Sequence, residues 1–144
     1  MDISAQGIKV TILSNPTFPQ GFTVTEFATD ADPITIEDID ITQSEVGVNG
    51  DMVSWNRAAV VRAEINVIPN SESDKNLMIL AIANRAAKNK VSTHDNVTMI
   101  VSYPDGTIRT FSNGNIAAGS IANSMGNDGK IRSKNYKFAF ATVI

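Results

Sequence analysis

The stretch "TIEDIDITQSEVGVNGDM", residues 35–52, alternates apolar and polar residues, yet its polar side is acidic and its far end is Asn-Gly-Asp. Ile34 and Ile36 share one parity, and Ile39 and Ile41 share the other. The switch falls at Glu37-Asp38, which predicts a bulge or a strand crossing between sheets. Beyond it, Ile39 and Ile41 point one way while Asp38, Asp40, Thr42 and Ser44 point the other. Asn49-Gly50 has the chemistry of a hairpin turn, because both residues tolerate positive φ. The return strand is expected over 51–68, "DMVSWNRAAVVRAEINVI". Ala59, Val61, Ala63, Ile65 and Val67 lie on one of its faces, and Val60, Arg62, Glu64 and Asn66 on the other. Both ribbons exceed the about 5–6 residues of an ordinary strand.

Outward from this pair, "IKVTIL" (8–13), "FTVTEF" (22–27), "NVTMIVSY" (96–103), "TIRTF" (107–111) and "NYKFAFATVI" (135–144) read as strands. "SNPTFPQG" (14–21) reads as a turn-rich loop and "PDG" as a hairpin turn. The Gly-, Asn- and Ser-rich run 112–130 reads as irregular, with a short strand at 115–118. One helix is expected, over 71–90. Ser71 suits its N-cap, Glu72 and Asp74 its positive end, and Arg85, Lys88 and Lys90 its negative end. Its centre, Leu77 to Ala83, is apolar all round, which predicts burial on more than one side. With no repeat, linker or composition break, the expectation is a single domain over 1–144, mainly β with one flanking helix.

The 144 residues are enough to bury roughly two-thirds of the extended-chain surface. A hydrophobic content of 42% with 19% charged residues excludes a disordered chain, and a net charge of −3 argues against a basic surface for nucleic-acid phosphates. The absence of cysteine excludes disulfides and thiolate chemistry. "MDISAQGIKV" lacks the pattern of a signal peptide, and the longest apolar run, "LMILAIA" at 77–83, is too short to span a bilayer, so no membrane anchor is expected.

Catalytic groups are hard to find. His94 is the sole histidine, and Ser92, His94 and Asp95 sit too close on one loop to converge as a triad. One histidine without cysteine makes no zinc site. Glu37, Asp38 and Asp40 are neighbours on one strand and cannot face each other across a glycoside. "DADP" (30–33) and "GNDGK" (126–130) lack the spacing of a Ca²⁺ loop. Trp55, with Phe18, Phe22, Phe27 and Phe111, fits either a ligand platform or, better, a packed core or subunit contact. No cofactor, no metal and no enzyme activity are expected.

The ordered series formed by the acidic strand with its "VGVNGDM" tip, the return strand "AAVVRAEINVIPNS" and the helix opening "SDKNLMIL" resembles the tail tube proteins of contractile-tailed bacteriophages. The resemblance is best over 22–83 and covers most of the chain. It implies a β-sandwich or split barrel with a flanking helix, assembled as hexameric rings that stack into a hollow tube. Strands from six subunits would close into a ring-wide β-barrel, an architecture shared with type VI secretion inner tubes. Asp38, Asp40, Thr42, Ser44, Arg62, Glu64 and Asn66 would then face the lumen. An acidic-leaning wall lets double-stranded DNA slide without adhering, with Arg62 departing from that sign. Val46, Gly47, Val48, Asn49, Gly50 and Asp51 would form a loop reaching the adjacent ring. The implied partners are further copies of the chain, sheath and baseplate proteins, and the implied location is the virion tail. The rivals are a monomeric ligand- or carbohydrate-binding β-sandwich and a small metal-dependent hydrolase.

Overall fold

The structure, a computed structural model, describes residues 7–29, 31–56, 58–92 and 94–144. The signal-peptide reading at 1–6, the "DADP" reading at Asp30, and the expected strand at Arg57 and loop at Thr93 lie outside the described residues.

Among the described residues the chain forms nine strands and one helix: β1 (Lys9–Asn15), β2 (Phe18–Val24), β3 (Ile34–Ile36), β4 (Thr42–Val46), β5 (Met52–Asn56), β6 (Val61–Val67), α1 (Glu72–Asn84), β7 (Asn96–Ser102), β8 (Ile108–Gly119) and β9 (Lys134–Val143). Seven strands make one antiparallel sheet in the order β2-β1-β7-β8-β9-β6-β3, and β4 and β5 make a separate hairpin. The mainly β fold with a single flanking helix is as the sequence led one to expect.

The large sheet is rolled. Val24 pairs with Val10 at one flank, while Phe27 bridges Val67 of β6 near the other. Three residues span at most ~11 Å, whereas five strand spacings in a flat sheet cover about 24 Å. Residues 26–28 therefore stitch the two flanks together, through Ala28 N to Asn66 O at 3.0 Å and Ile68 N to Glu26 O at 2.9 Å. The result is a barrel split along one side, with α1 laid against β2 and β8.

One face of every long strand fills the inside of the roll. Val10 and Ile12, Val97, Met99 and Val101, Ala63, Ile65 and Val67, and Tyr136, Phe138 and Phe140 are all buried, with Leu77 and Leu80 from the helix. The alternation of Tyr136, Phe138 and Phe140 with Lys137, Ala139 and Ala141 thus marks inside and outside as expected.

Three expected boundaries shift. The loop 14–21 shrinks because β2 begins at Phe18, where Gly21 at φ 78 keeps the backbone against Ile12. The irregular run 112–130 opens instead as the second half of β8, because Gly114 lacks the Cβ that would sit 2.2 Å from Cδ1 of Phe140. The helix stops at Asn84 rather than 90: Arg85 adopts an extended backbone, and the Lys90 ammonium turns back to donate to the carbonyls of Ile82 and Arg85. Lys90 still serves the negative end, from outside the helix.

The N-cap stands as read, with Asp74 N donating to Ser71 Oγ at 3.2 Å. Asp74 itself is buried, accepting from Asn70 N at 2.9 Å and from the Tyr136 hydroxyl at 2.8 Å. The ammonium of Lys134, equally buried, lies 3.6 Å from the same carboxylate. Burial, and then the Asp74 carboxylate, push the Tyr136 phenol well above its ordinary range.

Candidate functional site: a projecting arm and a polar outer face

The parity switch at Glu37-Asp38 is the place where the chain changes sheets. Glu37 N makes a last bond to Arg62 O at 3.0 Å, and the backbone then leaves β6 without strand structure until Thr42. The expected single ribbon over 38–44 is therefore a connector followed by β4. Its partner is also divided, into β5 and β6, with residues 58–60 outside both. Together β4 and β5 form an arm on which every strand residue is exposed.

The arm has two unlike faces, fixed by its register. Thr42 pairs with Asn56 and Ser44 with Ser54, so one face is hydroxyl and amide along the stem, ending in Val46 and Met52. Gln43 pairs with Trp55 and Glu45 with Val53, which makes the other face partly apolar. At the tip, Gly47 N donates to Asp51 O at 2.8 Å and Gly50 N to Gly47 O at 2.9 Å. Of the Asn-Gly pair, Gly50 is the one that takes positive φ, at 85°. This is the signature of a short hairpin loop closed by a left-handed glycine.

The seven residues expected to line a lumen fall into three groups. Thr42 and Ser44 share the polar face of the arm. Asp38 and Asp40 are exposed on the connector. Arg62, Glu64 and Asn66 sit on the outer face of β6, alternating with the buried Val61, Ala63, Ile65 and Val67. Asn135 on β9 joins two of them, donating to the Glu64 carboxylate and, at 2.8 Å, to Asn66 Oδ1. Asn66 in turn donates to the Asp32 carbonyl at 2.9 Å.

Register also brings in a residue that sequence reasoning left out. Lys137 of β9 lies opposite Glu64. It shares a depression with Glu37, Arg62 and Glu64, over Ala117 and Ala118. Two cations meet two carboxylates there, so this part of the outer face is charge-balanced. The acidic excess sits on the connector and arm instead, at Asp38, Asp40, Glu45 and Asp51. The alternation of β9 had placed Lys137 outside; which strand lay beside it was not readable.

Ile39 and Ile41, read as one apolar side of the strand, do not enter the core. They are 41% and 69% exposed, because the connector has no ladder to hold them inward. With Ile36, Val61, Tyr103 and Phe111 they edge a groove of about 760 Å³ at the foot of the arm, with Arg109 among its lining residues.

The loop at His94 is organised around its neighbour. Asp95 is buried and accepts from Ser14 Oγ at 2.8 Å and Asn84 Nδ2 at 3.2 Å, while His94 is exposed. These bonds tie the end of α1 to β1. Among the described residues no group of three or more His, Cys, Asp or Glu is placed to hold a metal ion. No described helix is long and apolar enough to cross a membrane.

Known proteins sharing this fold include a chain of the 6-fold symmetrised baseplate of the anti-feeding prophage, with TM-score 0.55 at 11% identity over 100% of this chain and 94% of that one. A chain from the sheath/tube terminator of the PVC extracellular contractile injection system, in its extended state, superposes with TM-score 0.56 at 12% identity, over 100% and 96%. At such identities the likeness is one of fold. No curated protein matches the sequence. The family described as tail fiber protein gp32 matches residues 1–144, the whole length. This chain, a rolled sheet with a projecting arm, belongs to the tail fiber protein gp32 family.

Proposed function

We propose that the chain, as a single domain, is a non-enzymatic structural subunit of a contractile phage tail, a tube protein whose copies form hexameric rings stacked around a bore. The observation that carries this reading is the β4–β5 arm. An isolated two-stranded hairpin is marginally stable in water, and this one leaves both edges and both faces uncovered. Neighbouring copies complete it, joining their arms and the β3-β6-β9 flank into a ring-wide barrel.

The shared fold with a six-fold baseplate and a sheath/tube terminator supports a ring-forming role, in which sheath and baseplate proteins are the outer partners. In the ring, Thr42 and Ser44 present an uncharged polar surface to the lumen, flanked by Asp38 and Asp40. Arg62, Glu64 and Asn66 continue it with balanced charge. Phosphates of double-stranded DNA find no net positive wall to release counterions against, so the genome passes without sticking. The tip, residues 46–51, reaches the adjacent ring.

The family description favours a second reading, in which the chain belongs to a fibre rather than a ring. Negative-stain electron microscopy of the purified protein separates them. Rings or tubes with a central bore are expected; lone particles or solid rods without a bore would refute the tube reading.

A further inference from the structure

The sequence holds two Asn-Gly pairs, Asn49-Gly50 and Asn113-Gly114, and the fold treats them in opposite ways. An asparagine before glycine is open to internal attack, because the following backbone nitrogen, with no Cβ beside it, reaches the side-chain carbonyl carbon unhindered. Asn49 and Gly50 are both exposed at the tip of the arm. Chain neighbours of Gly50 apart, no described atom lies within 4 Å of where its Cβ would be, and its nitrogen donates to Gly47 O at 2.9 Å. Gly114 is buried in the middle of β8, opposite Val97 of β7 on one side and Phe140 of β9 on the other. The Phe140 ring and the Ala139 carbonyl press on it.

We infer that Asn49 is a site of spontaneous modification, converting through a succinimide to aspartate and isoaspartate in the folded chain, while Asn113 stays intact. The Gly50 nitrogen gives up its proton to solvent base and attacks Cγ of Asn49. A new N–Cγ bond forms, the Cγ–Nδ2 bond breaks, and the amide nitrogen takes up protons from water and leaves as ammonia. Water then adds to either carbonyl of the five-membered ring, giving aspartate or isoaspartate. The balance is one water consumed and one ammonia released, with no change of oxidation state.

Local opening decides which pair reacts. Loop tips open at almost no free-energy cost, whereas core strands open only near the cost of global unfolding. Freeing Gly50 breaks its bond to Gly47 O in a hairpin whose strand residues lie outside the buried cluster. Freeing Gly114 parts β8 from strands carrying Val97, Met99, Phe138 and Phe140 of the core. Conversion also changes what the tip presents. A third carboxylate joins Glu45 and Asp51, with no lysine or arginine between residues 42 and 56. Isoaspartate lengthens the main chain by a methylene inside the turn that Gly47 and Gly50 close. On the stacked-ring reading the tip reaches the adjacent ring, so unassembled subunits lose docking competence as they age. That consequence rests on the reading above; the chemistry does not.

The test holds the purified full-length chain in warm, mildly alkaline buffer and samples it over time for peptide mass mapping. The expected result is the mass gain of deamidation at Asn49, split into aspartate and isoaspartate forms, at least about tenfold faster than at Asn113. In urea strong enough to unfold the chain, the two rates should converge. No conversion at Asn49, or equal rates in the folded chain, overturns the proposal. So does a gap that persists in urea, since local sequence rather than the fold then explains it. Asn49 does not have positive φ, so Asn49→Gln fits the tip, and its need to close a larger ring should remove the signal there. Aged unaltered chain should lose polymerisation that aged Asn49→Gln chain retains. Equal loss in both refutes the link from conversion to docking. A fresh unaltered chain that never polymerises sinks the tube reading, and the mass map still decides the modification.

Discussion

Asp74 does three jobs within α1's first turn: its amide is held by Ser71, and its carboxylate takes both the Tyr136 hydroxyl and the amide of Asn70. Its fourth neighbour, Lys134, is 1% exposed with its ammonium 3.6 Å away. Removing one partner of such a pair leaves a buried charge uncompensated, which costs about 3–5 kcal/mol. Asp74→Asn should lower the urea unfolding free energy by that order. Adding Lys134→Met should recover part of the loss, because both charges then disappear together; the amide oxygen can still accept from one of the two donors, Asn70 N or the Tyr136 hydroxyl. Tyr136 makes a separate prediction. Its phenol, ordinarily ionising at 10.0, is pushed up by burial and by Asp74. Above that pH the unfolded chain has released the proton and the folded chain has not, so the folded state binds more protons and stability falls as pH rises. This contribution is intact below pH 10. Tyr136→Phe should flatten the alkaline decline in unfolding midpoint above about pH 10. The N-cap half of this arrangement was legible at Ser71. Lys134 was not, since a lysine between a loop and a strand reads as a solvated end until the roll of the sheet closes over it.

At the scale of elements, the arm is separable from the core. None of its strand residues belongs to the buried cluster, so deleting residues 46–51 should leave a folded subunit, with an unchanged thermal midpoint, that no longer polymerises. Long tubes from the deletion variant would contradict this. The arm also shows where sequence alternation stops being informative. The parity switch at Glu37-Asp38 marked a real passage between sheets, and "VNGD" a real tip. The same alternation could not show that residues 38–41 belong to no strand, because Ile39 and Ile41 have the spacing of strand residues whether or not a ladder holds them. The inward face of β6 was readable throughout, from Val61 to Val67, since burial on one side and polarity on the other leave a single solution. The long β8 was hidden for the opposite reason. Its glycine at 114 argues locally for a loop, and only the ring of Phe140 across the sheet explains why a strand needs it.

At the scale of the whole molecule, charge is unevenly placed. The outer face of β6 and β9 balances Arg62 and Lys137 against Glu37 and Glu64, while the connector and arm carry the acidic excess. Reversing that excess with Asp38→Lys and Asp40→Lys should permit assembly yet slow DNA release from particles several-fold. The slowing should weaken as salt rises, because added cations screen the new attraction. Unchanged release would show the wall's sign to be immaterial. This distribution was partly visible in the acidic run 37–40. The balancing role of Lys137 depended on the pairing of β6 with β9, strands separated in sequence by a helix and a hairpin.

That pairing has a bearing on when the subunit becomes competent. Strand β9 sits between β8 and β6, and it is translated after both. In a nascent chain that has reached residue 133 only residues 26–28 can join the two flanks, and neither the partner of Val61 at Phe140 nor the groove wall at Val143 yet exists. Fragments that stop short of β9 therefore lack the strand whose ladders join β8 to β6, and the groove loses one of its walls.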